Sequence, residues 1–278
     1  MKSLEEKIDN LPIELQAFRD KLLSSRREFV SITLERVEEL DFKTSKVGGL
    51  PYLPINQEYP TDRKGQALDF LAQINFAEMP RLDNYPTEGI LQFYIVADDE
   101  YGLGFDDVFD SDTRVIYHEN IELDFQKEFA ELEAVRENDM YESPIFENRQ
   151  FKMIFSDVQE ESVACYDFHF NRLFNENGWR FFEQFKEKEN ICRDAYSEYF
   201  SAMGHRVGGY GFFTQIDPRY EHDNLNEYTE LLFQLDSDYD SAEDRVVWGD
   251  AGVANFFIRP NDLKNRDFSK ILFNWDCH

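Results

Sequence analysis

The chain has 278 residues, enough to bury a sizeable core without a disulfide or metal staple, and its 27 Phe and 14 Tyr supply rings to fill it. Its 57 carboxylates against 29 Lys and Arg leave a net charge of −28, which argues against direct binding to nucleic acid or an anionic membrane, since both need a basic footprint. No stretch of about 18 apolar residues marks a membrane helix, residues 1–10 lack the apolar run of a secretory signal, and the scattered Cys165, Cys192 and Cys277 read as reduced thiols in a cytoplasm.

Ser3-Leu4-Glu5-Glu6 is a capping box, and Leu4, Ile8, Leu11, Leu15, Phe18 and Leu22 follow at helical spacing, with a break expected at Pro12. This makes residues 3–28 an N-terminal helical segment. Val30, Ile32 and Leu34 alternate with polar residues as in a half-buried strand. Residues 47–60 carry a glycine pair and three prolines and read as an ordered loop. Strands are predicted at 70–76 and 90–97, the latter apolar enough to be central. An acidic loop over 98–112 follows, then short strands at 115–117 and 121–125. A helical turn or connector is expected at 129–136 and a strand at 151–155. Helices are predicted at 163–174 and 179–203, with Asn177-Gly178 between them. Strands at 212–216, 231–235, 246–248 and 254–258, a helical turn at Pro260 and a last strand at 271–275 complete the chain. The mixture lacks regular βαβ alternation, so the fold class is α+β.

The chain also carries a faint copy of itself. Lys46-Val47-Gly48-Gly49 returns as Arg206-Val207-Gly208-Gly209, Leu71-Ala72-Gln73-Ile74-Asn75 as Leu232-Phe233-Gln234-Leu235-Asp236, and Gly89–Ile95 as Gly252–Ile258. The offsets are 160, 161 and 163 residues. Three blocks in one order at nearly constant offset predict two repeats, over about 29–127 and 151–278. No flexible linker parts them, so they are expected to merge, with mixed or antiparallel sheets, into a single domain over 1–278.

Few residues point to chemistry. The glycine pairs could cradle an anion, but neither phosphate-loop pattern is present, and a turn needing positive φ or close backbone approach is favoured. Gln73 and Gln234 are binding candidates inside apolar strands; a buried amide must find partners, and a structural bridge is the favoured reading. Trp248 reads as a core anchor, while Asp250 either caps a turn or lines a cleft. Asp236, Asp238 and Asp240 alternate like the start of a calcium loop, but its sixth and twelfth positions hold Ser241 and Val247 instead of Gly and Glu. The same partial pattern occurs at Asp106, Asp107, Asp110 and Asp112. The five histidines show no zinc spacing, there is no C-x-x-C and no nucleophile elbow, so no catalytic residue and no cofactor is assigned.

These blocks resemble the YwqG-like family of bacterial proteins, whose function is uncharacterised. The likeness rests on Ser45–Pro51, Phe70–Ile74, Gly89–Tyr94, Gly208-Gly209-Tyr210, Leu231–Gln234 and Trp248–Gly252, and runs from about Ser45 to the C-terminus. It brings no catalytic residue. It implies, through relatives found beside secreted toxins, an immunity or partner-binding role. The expectation is therefore a cytoplasmic, non-enzymatic protein that binds another protein, such as a basic toxin, with no nucleic acid and no membrane as partner. The alternative is an enzyme or small-ligand binder with a carboxylate-lined cleft between the two repeats.

Overall fold

The computed structural model describes residues 2–104, 111–220, 222–239 and 244–278. Its β-branched and aromatic runs form β1 (Arg27–Arg36), β2 (Lys46–Gly48), β3 (Asp69–Asn75), β4 (Ile90–Ile95), β5 (Arg114–His118), β6 (Gln150–Phe155) and β7 (Gln159–Glu161). These are followed by β8 (His205–Gly208), β9 (Glu230–Asp236), β10 (Asp238–Tyr239), β11 (Asp244–Val246), β12 (Val253–Ile258) and β13 (Leu272–Asp276). One curled, antiparallel half-barrel sheet takes the order β13-β12-β9-β8-β1-β6-β2-β3-β4-β5, with β7 also on β1; β10 and β11 pair apart from it.

The β1–β6 pair is the middle of this sheet, and a wing extends from each side. The chain crosses over at the centre. Strand β1 precedes β2 but lies against β8, and β6 precedes β8 but lies against β2. Strands β3, β4 and β12 are buried along their whole length, and β9 along all but its first residue. Alternate residues therefore serve two layers. Leu91, Phe93 and Ile95 of β4 and Ala254, Phe256 and Ile258 of β12 face a shared core inside the curl. There Phe93 meets Phe233 and Phe256, each with ring centroids 4.8 Å apart. Tyr94 and Phe257 face outward into separate clusters under the loops.

Ser3 closes its capping box on Glu6, and Pro12 divides the N-terminal segment as the sequence predicts. The result is three short helices, α1 (Leu4–Asp9), α2 (Ile13–Gln16) and α3 (Arg19–Ser24). Helix α4 (Ala130–Arg136) leaves the first wing. The long connector after β7 carries α5 (Phe168–Phe174), α6 (Gly178–Phe181) and α7 (Glu189–Phe200), and α8 (Pro260–Asn265) follows β12. Helices α1–α3 pack on α5–α7 through Leu4, Ile8, Leu15, Phe170, Phe182 and Tyr196. Among the described residues, no helix is long and apolar enough to cross a membrane.

Several expectations need correction. The helix predicted at 179–203 is broken, because Lys186 adopts a φ of 53° and a 3-10 stretch parts α6 from α7. Residues 212–216 are not a strand. Their N–H groups go to side chains instead, Phe212 to Gln234 Oε1 and Thr214 and Gln215 to the Asp276 carboxylate. Residues 121–125 contribute only an isolated bridge from Phe125 to Pro54, and the Glu122 N–H donates to the Tyr52 hydroxyl. The expected loop at 47–60 begins with β2.

Candidate ligand cleft at the sheet seam

The two glutamines are fixed from all sides. Gln73 Nε2 donates to the carbonyls of Phe42 and Thr44, and its Oε1 accepts from Tyr52 N–H at 3.0 Å and Gln92 Nε2 at 3.0 Å. Gln234 Nε2 donates to the carbonyls of Ala202 and Gly204, and its Oε1 accepts from Phe212 N–H at 2.8 Å. Each amide thus pins a loop over the outer face of its wing, and neither points into a cavity. A buried amide with this many partners specifies loop position rather than ligand. Beside Gln73, burial pushes His118 down to about 4. The neutral ring donates from Nε2 to Gln92 Oε1, which also accepts from the Tyr94 hydroxyl.

The glycine pairs are also structural. Gly48 and Gly208 have φ of 70° and 77°. A Cβ on Gly48 would lie 2.1 Å from the Arg149 carbonyl oxygen, and one on Gly208 would lie 2.8 Å from that of Glu28. Both positions need the left-handed backbone and the close approach that glycine alone allows without strain.

The candidate cation ligands are engaged within the protein. Asp236 accepts from the N–H groups of Gly204 and Ser237, and burial pushes its carboxyl up. Asp238 pairs with His205 and with Arg245 at 2.8 Å, and these two hold its carboxyl down against burial. Asp240, Asp106, Asp107 and Asp110 lie outside the described residues. Asp112 pairs with Arg63 at 3.2 Å. Among the described residues no group of three or more His, Cys, Asp or Glu is placed to hold a metal ion. Trp248 is fully buried in the shared core, edge-on to Tyr101 at 4.9 Å. Asp250 sits in the exposed turn after it, where its carbonyl accepts from His278 N–H.

One arrangement looks catalytic and is closed off. Asp167 Oδ1 accepts from His169 Nδ1 at 2.6 Å, but His169 Nε2 faces the Arg27 guanidinium at 3.3 Å. An arginine can only donate, so it occupies the lone pair a general base would use. Burial pushes the nearby Cys165 thiol up to about 11, away from nucleophilic thiolate.

A wide cavity lies elsewhere, where the curl brings the two edge strands together. It has a volume of about 710 Å³ and takes residues from both wings. Arg63 and Arg114 approach from the β5 side, Arg259 and Lys270 from the α8–β13 side, and among the described residues Glu227 is its one lining carboxylate. Arg63 is tied to Asp112, and Arg259 to Asp262 and, at 3.6 Å, to Glu227. The Arg114 guanidinium donates to the Thr113 carbonyl. Among the described residues these four cations face Asp112, Asp262 and Glu227, and Asp267 lies within electrostatic reach of Arg259 and Lys270, so cations are gathered here in a chain of net charge −28. The seam below it is bridged by side chains rather than backbone: Arg266 to Glu119, Tyr117 against Phe268, and Trp275 Nε1 to the Glu100 carbonyl. These four cations escaped the sequence reading, because residues 63, 114, 259 and 270 share no motif. Only the curl of the sheet gathers them.

A family model for a domain of unknown function, DUF1963, matches residues 45–277. The chain belongs to that family. No curated protein matches it. The DUF1963 match spans both wings and therefore both sides of the seam, while β1, although central in the sheet, lies before it.

Proposed function

We propose that this DUF1963 protein binds a small anionic molecule in the seam cavity. The observation that carries this reading is the local gathering of cations: among the described residues, four cations and one carboxylate line a cavity of about 710 Å³ in a strongly acidic chain. In a strongly acidic chain, a concavity lined mostly by cations is where an anion would concentrate. Among the described residues this cleft carries more cations than carboxylates in its lining, which supports an anionic ligand. Titration calorimetry with inorganic phosphate, a tricarboxylate and a nucleoside triphosphate tests the reading. Binding by at least one, weakening with salt and falling at least tenfold in the Arg114→Glu/Lys270→Glu variant, is expected. No binding by any of the three, or equal binding by the variant, would sink it.

Three further readings accompany this one. The two wings are copies of one unit: Phe42, Thr44 and Tyr52 meet Gln73 as Ala202, Gly204 and Phe212 meet Gln234, each 160 residues on. The likeness to YwqG-like proteins, with a cytoplasmic setting, rests on the sequence blocks. Binding of a basic protein partner, such as a toxin, is favoured by the net charge and would show as salt-sensitive association.

A further inference from the structure

The wings differ most in their connectors. Residues 37–45 lead directly from β1 to β2, whereas residues 156–204 carry three helices between β6 and β8. That helical connector forms one wall of a second cleft, and residues 215–220 form the other. Tyr166 and Trp179 meet there with ring centroids 4.8 Å apart and planes tilted by 51°, and Trp179 remains 52% exposed. Tyr220 closes the end, its hydroxyl donating to the Asp167 carbonyl at 3.2 Å. The volume is about 260 Å³, below the roughly 300–1,000 Å³ of pockets for drug-sized ligands. It admits one ring-sized group.

Three amides share this space with the rings: Asn171, Asn177 and Gln215. Asn177 Oδ1 is used in capping α6, and Gln215 Nε2 donates to the Cys277 carbonyl. Asn177 Nδ2 and Gln215 Oε1 are left as a donor and an acceptor without a protein partner among the described residues. Among the described residues no lining residue is cationic. The one carboxylate among them, Asp217, is fully buried and consumed by the Arg219 guanidinium and the Phe168 N–H. The same guanidinium reaches Asp167 at 3.0 Å and the Tyr228 carbonyl at 3.1 Å, and lies over the rings of Phe257 and Phe168. The floor is thereby held rigid by groups that cannot themselves take a ligand.

We propose that this cleft binds a single uncharged sugar ring of the pyranose type. The C–H face of such a ring suits the negative π-face of Trp179. Its hydroxyls, each donor and acceptor, suit amides that offer both. A charged ligand finds no free counter-charge here. A proline-rich strand needs a row of aromatic slots rather than one compartment.

Saturation-transfer NMR on the intact chain with methyl glycosides of glucose, galactose, mannose and N-acetylglucosamine tests this. At least one glycoside is expected to bind in the millimolar range, with saturation strongest on its C–H protons. Trp179→Ala should weaken it about tenfold and the exposed Asn171→Ala severalfold. Arg114→Glu/Lys270→Glu should leave it unchanged, which separates this site from the seam cavity. No glycoside binding, equal binding by Trp179→Ala, or capture of a polyproline peptide instead would overturn the proposal.

Discussion

In the first wing Lys46 is buried with its ammonium 3.2 Å from the Asp41 carbonyl, and burial pulls its pKa down to about 8. At the matching position of the second wing, Arg206 makes two bonds to Glu161, at 3.0 and 2.8 Å, and Glu161 also accepts from Tyr210 N–H. The difference follows from the connectors. The strand that leads into the helical connector supplies Glu161, and the connector supplies Asp167, so the second wing can bury arginines against carboxylates. The short connector of the first wing offers Lys46 a backbone oxygen as its hydrogen-bond partner, and the Asp41 carboxylate acts on it without a hydrogen bond. The amide hubs differ in the opposite sense. Gln92 in the first wing is closed off by Tyr94 and His118, whereas its counterpart Asn255 donates to the Phe212 carbonyl and its Oδ1 has no partner among the described residues. Each wing is thus well satisfied where the other is not, and the shared scaffold tolerates both solutions.

The largest expected effect lies in the second wing. Arg219→Met removes the cation from between Asp167 and Asp217 and leaves two buried carboxylates uncompensated. At present Arg219 and His169 more than offset the burial that would push Asp167 up. Breaking a buried pair in this way costs about 3–5 kcal/mol. Urea unfolding should show the free energy of unfolding fall by that amount, with the midpoint lowered in proportion and the slope unchanged. A shift no larger than that of an ordinary surface mutation would show that the cluster does not hold the second wing together.

A smaller contrast sharpens the correspondence between the wings. Gly48→Ala and Gly208→Ala both place a side chain at positive φ, which costs about 1–2 kcal/mol. Gly48 adds a severe overlap with backbone, since its Cβ would sit 2.1 Å from a carbonyl oxygen against 2.8 Å at Gly208. Gly48→Ala is therefore expected to cost about 2–4 kcal/mol and Gly208→Ala about 1–2 kcal/mol, given typical overpacking penalties. Equal losses in thermal unfolding would mean that the two turns do not bear the constraints the coordinates assign to them.

How much of this was legible in the sequence depends on the range of the interaction. The buried strands were readable because their apolar runs are local, and Gln73 and Gln234 were readable as buried amides because each sits inside such a run. The short β2 was hidden because it runs straight into the glycine pair and the prolines that follow it. Residues 212–216 looked like a strand because Phe212 and Ile216 are apolar, yet their N–H groups are claimed by Gln234 and Asp276 from elsewhere in the fold. Neither cleft announced itself. Arg114 and Lys270 stand far apart in sequence, and Trp179 and Gln215 meet only because the helical connector folds back beside the 215–220 segment.

The smallest effect tests the Lys46 side of the comparison. Its pKa is lowered from 10.5 to about 8, chiefly by burial and against the pull of Asp41 and Glu78. Between those values the unfolded chain holds a proton that the folded chain has released, so this group makes stability rise as pH increases from about 8 to about 10.5. Below pH 8 the lysine is charged in both states and the full penalty is present, at most about 3 kcal/mol for such a shift. Tyrosines and Cys165, whose pKa values are raised, act in the opposite direction at high pH, so wild type alone does not isolate the lysine. Lys46→Met does, because it removes the charge and keeps the stem. The variant should be more stable than wild type by about 1–3 kcal/mol at pH 7, as expected when an unpaired buried charge is replaced by an apolar group. That advantage should shrink steadily as both proteins are unfolded at pH 8, 9 and 10. A variant less stable than wild type at pH 7, or an advantage that does not change with pH, would show that the Asp41 carbonyl compensates Lys46 as fully as Glu161 compensates Arg206.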